Sequence, residues 1–278
     1  MLIDSHCHLN FNAFKNDWKE IIENCLSKNI WMVNVGTKYE TSKKAVEIAE
    51  EFSDGVFAAI GLHPIHLEAQ KYDAWELGGG NGLKTIPEEF VYERYKKLAK
   101  SSKKVVAIGE IGLDYWRKPK TKRKLEEFKR KQKDTLKEQI KLARELNLPV
   151  IFHCRVAFDD LLKVLKEEFE RNGEIKGVIH SFTGDWQTAK DFLDMGFYLG
   201  FNGIIFKLNL EEVIRRVPLE KTILETDSPY LVPPQCKKER NDPCCVKRIA
   251  EELSQIKKKD LKKIAEITTY NTKNLFGL

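Results

Sequence analysis

A chain of 278 residues, 42% hydrophobic and 32% charged, is long enough for one α/β barrel or two small domains with a sizeable core. Its apolar runs are strand-sized, which excludes a membrane-spanning helix, and its six cysteines without CxxC spacing exclude a small disulfide-stapled scaffold. The net charge of +6 permits an anionic partner without naming one.

The chain opens directly on Leu2-Ile3, a short apolar strand running into Asp4-Ser5-His6-Cys7-His8. Without a basic region, apolar stretch or small-residue cleavage site there, a secretory leader is not expected, and the thiols read as free in a reducing cytoplasm. Further strands are expected at Trp31 to Val35, Val56 to Ile60, Val105 to Ile108, Val150 to Phe152, Val178-Ile179, Phe197 to Leu199 and Thr222 to Leu224. Amphipathic helical stretches lie between them, among them Trp18 to Ser27, Thr41 to Phe52, Leu125 to Leu146, Phe158 to Glu170 and Thr188 to Leu193. Eight βα units predict a (β/α)₈ TIM barrel over residues 1–278, with the tail folding as two more helices. A doubly wound sheet is the other candidate, but it would carry a glycine-rich phosphate loop where Asp4-Ser5-His6 stands.

Two stretches break the alternation. Residues 71–90, with Trp75 and Gly78-Gly79-Gly80-Asn81-Gly82, read as an extended βα loop that would serve either as a lid or as an ordinary insertion. Arg117 to Lys133 is a basic block, suited to tracking phosphates or to forming a solvated helix face.

All six histidines follow apolar runs, in the motifs His6-Cys7-His8, His63-Pro64-Ile65-His66, His153-Cys154-Arg155 and His180-Ser181-Phe182. Imidazole is the commonest metal ligand, so histidines at successive strand ends point to one shared site. Glu110 ends the fourth strand and Asp227 the eighth. Four histidines and two carboxylates suffice for two divalent ions if one carboxylate bridges, and the mixture suits zinc or manganese better than calcium. Cys7 and Cys154 would point away from a neighbouring ligand's face. His63 suits a substrate phosphate, a leaving oxygen or a structural turn; Arg155 suits a phosphate or a salt bridge; Tyr115 and Trp116 suit base stacking or packing. His66 reads as a loop residue.

These motifs, together with Gly61-Leu62-His63-Pro64, Gly109-Glu110-Ile111-Gly112-Leu113-Asp114-Tyr115, Glu225-Thr226-Asp227-Ser228-Pro229, Asn241-Asp242-Pro243 and Thr268-Thr269-Tyr270-Asn271, span the chain in order. The chain thereby resembles the TatD family of metal-dependent deoxyribonucleases, within the amidohydrolase-like barrel superfamily. The resemblance implies that His6, His8, Glu110 and Asp227 hold one metal ion (zinc, manganese or magnesium). Glu110, His153 and His180 would hold the other, with Glu110 bridging. It implies a nuclease that cleaves DNA, as a 3'-5' exonuclease on single strands or ends, by a metal-activated water with Asp227 as ligand and proton acceptor. No membrane and no obligate protein partner are implied.

Two departures bear on recognition. Val156 stands where the family carries an aspartate after its arginine, so Asp159 or Asp160 must orient Arg155 or leave it less constrained. Lys237-Lys238-Glu239 replaces Arg-Gly-Lys, and lysine cannot make a bidentate contact. Hydrolysis of another ester or amide (an aminoacyl ester or a lactone) is the competing enzymatic reading, and a non-catalytic nucleic-acid-binding barrel the competing binding one.

Overall fold

The computed structural model describes residues 1–69, 74–77, 86–237 and 239–278. Among these, eight strands, β1 (Leu2–Cys7), β2 (Ile30–Val35), β3 (Val56–Ile60), β4 (Val105–Asp114), β5 (Val150–Arg155), β6 (Gly177–Ile179), β7 (Tyr198–Phe201) and β8 (Thr222–Leu224), pair in sequence order, all parallel. A bridge between Cys7 and Ser228 brings the last strand back to the first. The amide of Asp227 donates to the His6 carbonyl at 2.8 Å, and that of His8 to the Ser228 carbonyl at 2.8 Å. This is the expected (β/α)₈ barrel. No helix among the described residues is long and apolar enough to cross a membrane.

Helices α1 (Trp18–Ser27), α2 (Tyr39–Glu50), α3 (Ala74–Leu77), α4 (Tyr92–Lys100), α5 (Lys122–Leu146), α6 (Phe158–Asn172), α7 (Trp186–Asp194), α8 (Glu211–Arg216), α9 (Val246–Lys257) and α10 (Leu261–Phe276) cover the strands. Alternation along the strands separates two cores. Val33, Val35, Ala59, Ala107, Ile151, Val178 and Ile223 form one cluster, while Met32, Ala58, Ile60, Ile108, Phe152, Ile179 and Leu224 pack with the helices in another. The longest helix, α5, buries Phe128, Leu136, Ile140 and Ala143 at helical spacing and stops where Asn147 turns left-handed at φ 52°. Its buried face also carries two amides. Gln132 clasps the backbone of Asp114 (2.8 and 3.0 Å), and Gln139 clasps that of Leu62 (2.8 and 3.0 Å). Each clasp steadies a site-bearing segment where the strand ladder ends.

β1, β4 and β5 run further than their apolar cores predict. β4 continues through Glu110 to Asp114 with a register shift between Ile108 and Ile111, so Glu110 lies inside the strand and not at its end. Polar residues read as strand ends in the sequence, yet here the neighbouring strands supply their ladder partners. The basic block also finds partners: Lys133 and Lys129 pair with Asp160 at 2.8 and 3.4 Å, and Lys131 donates to the Leu67 carbonyl at 2.7 Å. Of the possible lid, only Ala74–Leu77 and residues 86–90 are described; Gly78 to Gly82 lie outside the described residues, as does Lys238.

Candidate metal centre

The tail and β1 hold the eighth strand's exit in place. Asp4, fully buried, accepts from the Thr226 amide (2.8 Å), the Thr226 hydroxyl (2.5 Å) and the His6 amide (3.2 Å), and burial pushes its carboxyl well up. Asn241 donates to the carbonyls of Thr226, Tyr230 and Leu231 at 3.0, 2.7 and 3.3 Å. The loop so pinned carries Asp227 and Leu231 at positive φ (56° and 54°), and Val156 and Ser181 are left-handed too, at 57° and 48°. Non-glycine residues in that region are strained, and these four all line one cleft of about 560 Å³ at the carboxyl ends of the strands.

Inside the cleft, side-chain nitrogens and oxygens converge. His6 Nε2 and His8 Nε2 lie 3.1 Å apart, 3.4 and 4.0 Å from Glu110 Oε2 and 3.8 and 3.5 Å from Asp227 Oδ1. The other oxygen, Glu110 Oε1, faces His153 Nδ1 at 2.7 Å, His63 Nε2 at 3.5 Å and His180 Nε2 at 3.8 Å. His180 stacks on His6 with centroids 3.6 Å apart, and its Nε2 is also 3.6 Å from Asp227 Oδ1. Ligands 2.0–2.1 Å from a tetrahedral ion stand about 3.3–3.4 Å apart, and the spacings here bracket that value. Three overlapping groups among the described residues bring their ligand atoms within 4.8 Å of one another: His6-His180-Asp227, His6-His8-Glu110 and His63-Glu110-His153.

The partner of each outer ring nitrogen decides which way the lone pair points. His8 Nδ1 donates to the Val35 carbonyl at 2.8 Å, which leaves Nε2 free to ligate. His180 Nδ1 sits 3.0 Å from Glu225 Oε2, off the line of a good hydrogen bond, but a carboxylate can only accept, so the proton belongs on Nδ1. His153 Nε2 faces Asp114 Oδ2 at 3.2 Å. His63 is reversed: its Nδ1 accepts the Ile65 amide at 3.1 Å, so the neutral ring carries its proton on Nε2, toward the cleft.

Electrostatics follow the same contacts. Burial works against ionising Glu110 and Asp227, yet the surrounding histidines hold both below the usual carboxylate range, Glu110 well below it. Burial opposes charge on His153 and His180 as well, but the carboxylates beside them raise the first to about 9 and the second to about 10. His6, buried and beside His180, falls to about 4. Asp114 is lowered to about 2, His153 outweighing its burial.

The structure thus gathers all six expected ligands, and it brings His63 in beside Glu110 and His153. Arg155 also lines the cleft, its guanidinium 4.5 Å over the Trp116 ring. Asp160 does not orient it, being committed to Lys133, Lys129 and the Tyr115 hydroxyl (2.9 Å). Two expectations are corrected. Tyr115 is 4% exposed, packed on Phe128, and cannot reach a substrate; alternation along the chain turns Trp116, 60% exposed, toward the cleft in its place. His66 is no plain loop residue: it is 2% exposed and bonded to Glu76 Oε1 at 2.8 Å. Glu225 and Asp114 were missed. The signal was available, since Glu225 stands two residues before Asp227 and Asp114 four after Glu110, spacings that share a strand face. Gly200 makes room for Glu225, because a Cβ there would stand 2.5 Å from Glu225 Oε2.

A closed parallel barrel with imidazoles and carboxylates converging at its carboxyl end defines a metal-dependent hydrolase. More narrowly, the chain belongs to the family of TatD-related DNases, whose model matches residues 3–277. It is similar to YabD of Bacillus subtilis, named a metal-dependent hydrolase, at 36% identity over the full length of both chains. It is likewise similar to the 3'-5' ssDNA/RNA exonuclease TatD of Pantoea ananatis, at 29% identity over all of both chains. Among solved structures, the TatD homologue YjjV of Escherichia coli superposes with a TM-score of 0.80 at 29% identity, covering 100% of this chain and 98% of that one.

Proposed function

We propose that this protein is a two-metal deoxyribonuclease acting on single strands or ends, from the 3' end as the name of the Pantoea relative suggests. One observation carries the reading. Glu110 presents one oxygen to His6 and His8 and the other to His153, His63 and His180, the disposition a bridging carboxylate needs. In this reading His6, His8, Glu110 and Asp227 hold one ion, and Glu110, His153 and His180 the other. Zinc, manganese or magnesium bound there would acidify a water and offset charge on the transferring phosphate.

The remaining steps belong to the protein. Asp227, kept ionised by His180 and His8, accepts a proton at Oδ1. His63 Nε2–H donates to a phosphate oxygen, and Arg155 adds a charge-assisted bond at the cleft mouth. Glu225 and Asp114 orient His180 and His153. We read residues 1–278 as one domain, a reading supported by β1 bonding the Asp227 amide and by Asn241 of the tail bonding Thr226 and Tyr230 around it.

The test is hydrolysis of a 3'-labelled single-stranded oligonucleotide by chelator-treated protein before and after manganese, magnesium or zinc is added. Cleavage should vanish and return. Turnover of a carboxylic ester or lactone with no oligonucleotide cleaved under any metal would overturn the reading in favour of another ester hydrolase.

A further inference from the structure

The aromatic rim of the cleft has work that metal ligation does not use. Trp75, on the four-residue helix α3, is 37% exposed and stacks on Tyr230 with ring centroids 6.1 Å apart and planes at 24°. Tyr230 lines the cleft and meets His8 edge-on at 6.4 Å, so the pair reaches from the imidazole cluster to the surface. Trp75 also lines a second cavity of about 670 Å³ with Ala13, Ile21 and Arg240. Trp116, under Arg155, stands in the same cleft.

A helix this short has no stability of its own, so something must hold it. The next residue does. Glu76 is buried against the barrel, where its Oε1 takes the Thr37 hydroxyl at 2.5 Å and His66 Nε2 at 2.8 Å. His66 in turn is fixed through its carbonyl, which accepts the Glu88 amide at 2.8 Å. A buried carboxylate is costly unless bonded, and here that bonded group delivers a partly exposed indole against Tyr230, which lines the cleft.

We propose that Trp75, stacked on Tyr230, is a base-stacking platform that extends the ring stack by one nucleobase of a single-stranded substrate, and that Glu76, His66 and Thr37 are its positioning residues. The proposal rests on the nuclease reading above and assigns its substrate preference: a strand with an unpaired base next to the cleaved phosphate. Stacking on an aromatic ring is tolerant of sequence, so all four bases should serve.

The experiment compares kcat/KM for single-stranded oligonucleotides that carry a base or an abasic residue at each position near the cleaved end. The wild type should favour the base at one position by about ten-fold. Trp75→Ala and Trp75→Leu should bring that ratio close to one through KM, and Trp75→Phe should restore most of it. Glu76→Gln should lower the ratio while leaving the Leu and Phe order at position 75 intact. Anisotropy of a labelled oligonucleotide on chelator-treated protein should show the same loss of binding. Cleavage with an unchanged ratio in both Trp75→Ala and Trp75→Leu would overturn the stacking proposal alone. A wild type that cleaves no oligonucleotide would overturn the nuclease reading and the proposal with it.

Discussion

Replacing Glu225 by glutamine should weaken metal binding far more than it weakens the fold. Glu225 is fully buried, with Oε1 accepting from the Ser181 amide (2.7 Å) and Asn202 Nδ2 (3.2 Å), and Oε2 3.0 Å from His180 Nδ1. Glutamine keeps the shape and one acceptor oxygen, so Ser181 and Asn202 retain their partner. What changes is the atom facing His180: an amide NH₂ donates, which forces Nδ1 to accept and moves the ring proton to Nε2. That proton lies where Glu110 and Asp227 converge, 3.8 and 3.6 Å away. Losing such an outer partner costs about 10–100-fold in metal affinity, or about 1.4–2.7 kcal/mol. Folding stability should fall by only about 1 kcal/mol, the scale of one altered hydrogen bond. Glu225→Ala differs, since it strands the Ser181 amide, Asn202 and His180 at about 1–3 kcal/mol each. Competition with a chromophoric chelator would read the affinity and calorimetry the stability. Wild-type metal affinity in a folded Glu225→Gln protein would refute the tautomer argument.

Three further outcomes are expected. A Cβ at Gly112, whose φ is 155°, would stand 1.9 Å from the His153 carbonyl oxygen, so Gly112→Ala should cost roughly 3 kcal/mol and lower Tm by roughly 6–12 °C in a scan. Tyr115→Phe removes one bond to Asp160 and should cost about 1 kcal/mol of stability with kcat/KM held within about two-fold, while Trp116→Ala should raise KM and leave stability near wild type. Burial favours a protonated Glu76, but His66 and Thr37 outweigh it and lower its pKa, so the unfolded chain binds the proton more readily. The stability from this group is therefore present above about pH 4.5 and is lost as pH falls through its lower folded value. Acid titration of wild type against Glu76→Gln should show the two curves converging below that pH, and a constant gap down to the acid transition would count against the pair.

Much of the site was legible because its residues obey strand periodicity. His6, His8, His153 and His180 follow apolar runs, and a parallel barrel turns the ends of such runs toward one face, so their meeting is a consequence of topology. Tyr115 and Trp116 were less legible. Both are aromatic and adjacent, and only the packing of α5 decides that Phe128 takes the first and leaves the second to the cleft. Glu225 and Asp114 were legible only through their spacing to Asp227 and Glu110, since a buried orienting carboxylate and a surface one have the same letter.

What the sequence determined by itself is the order of elements and the inventory of candidate ligands, because local periodicity and residue chemistry are carried by neighbours in the chain. Tertiary structure decided everything that depends on partners distant in sequence. It chose which nitrogen of His8, His180, His153 and His63 is aimed inward, through the Val35 carbonyl, Glu225, Asp114 and the Ile65 amide. It also gave His66, the one histidine without a role in the sequence, a carboxylate partner from α3. An imidazole is a donor, an acceptor or a ligand only once its two neighbours are known, and the fold supplies those neighbours.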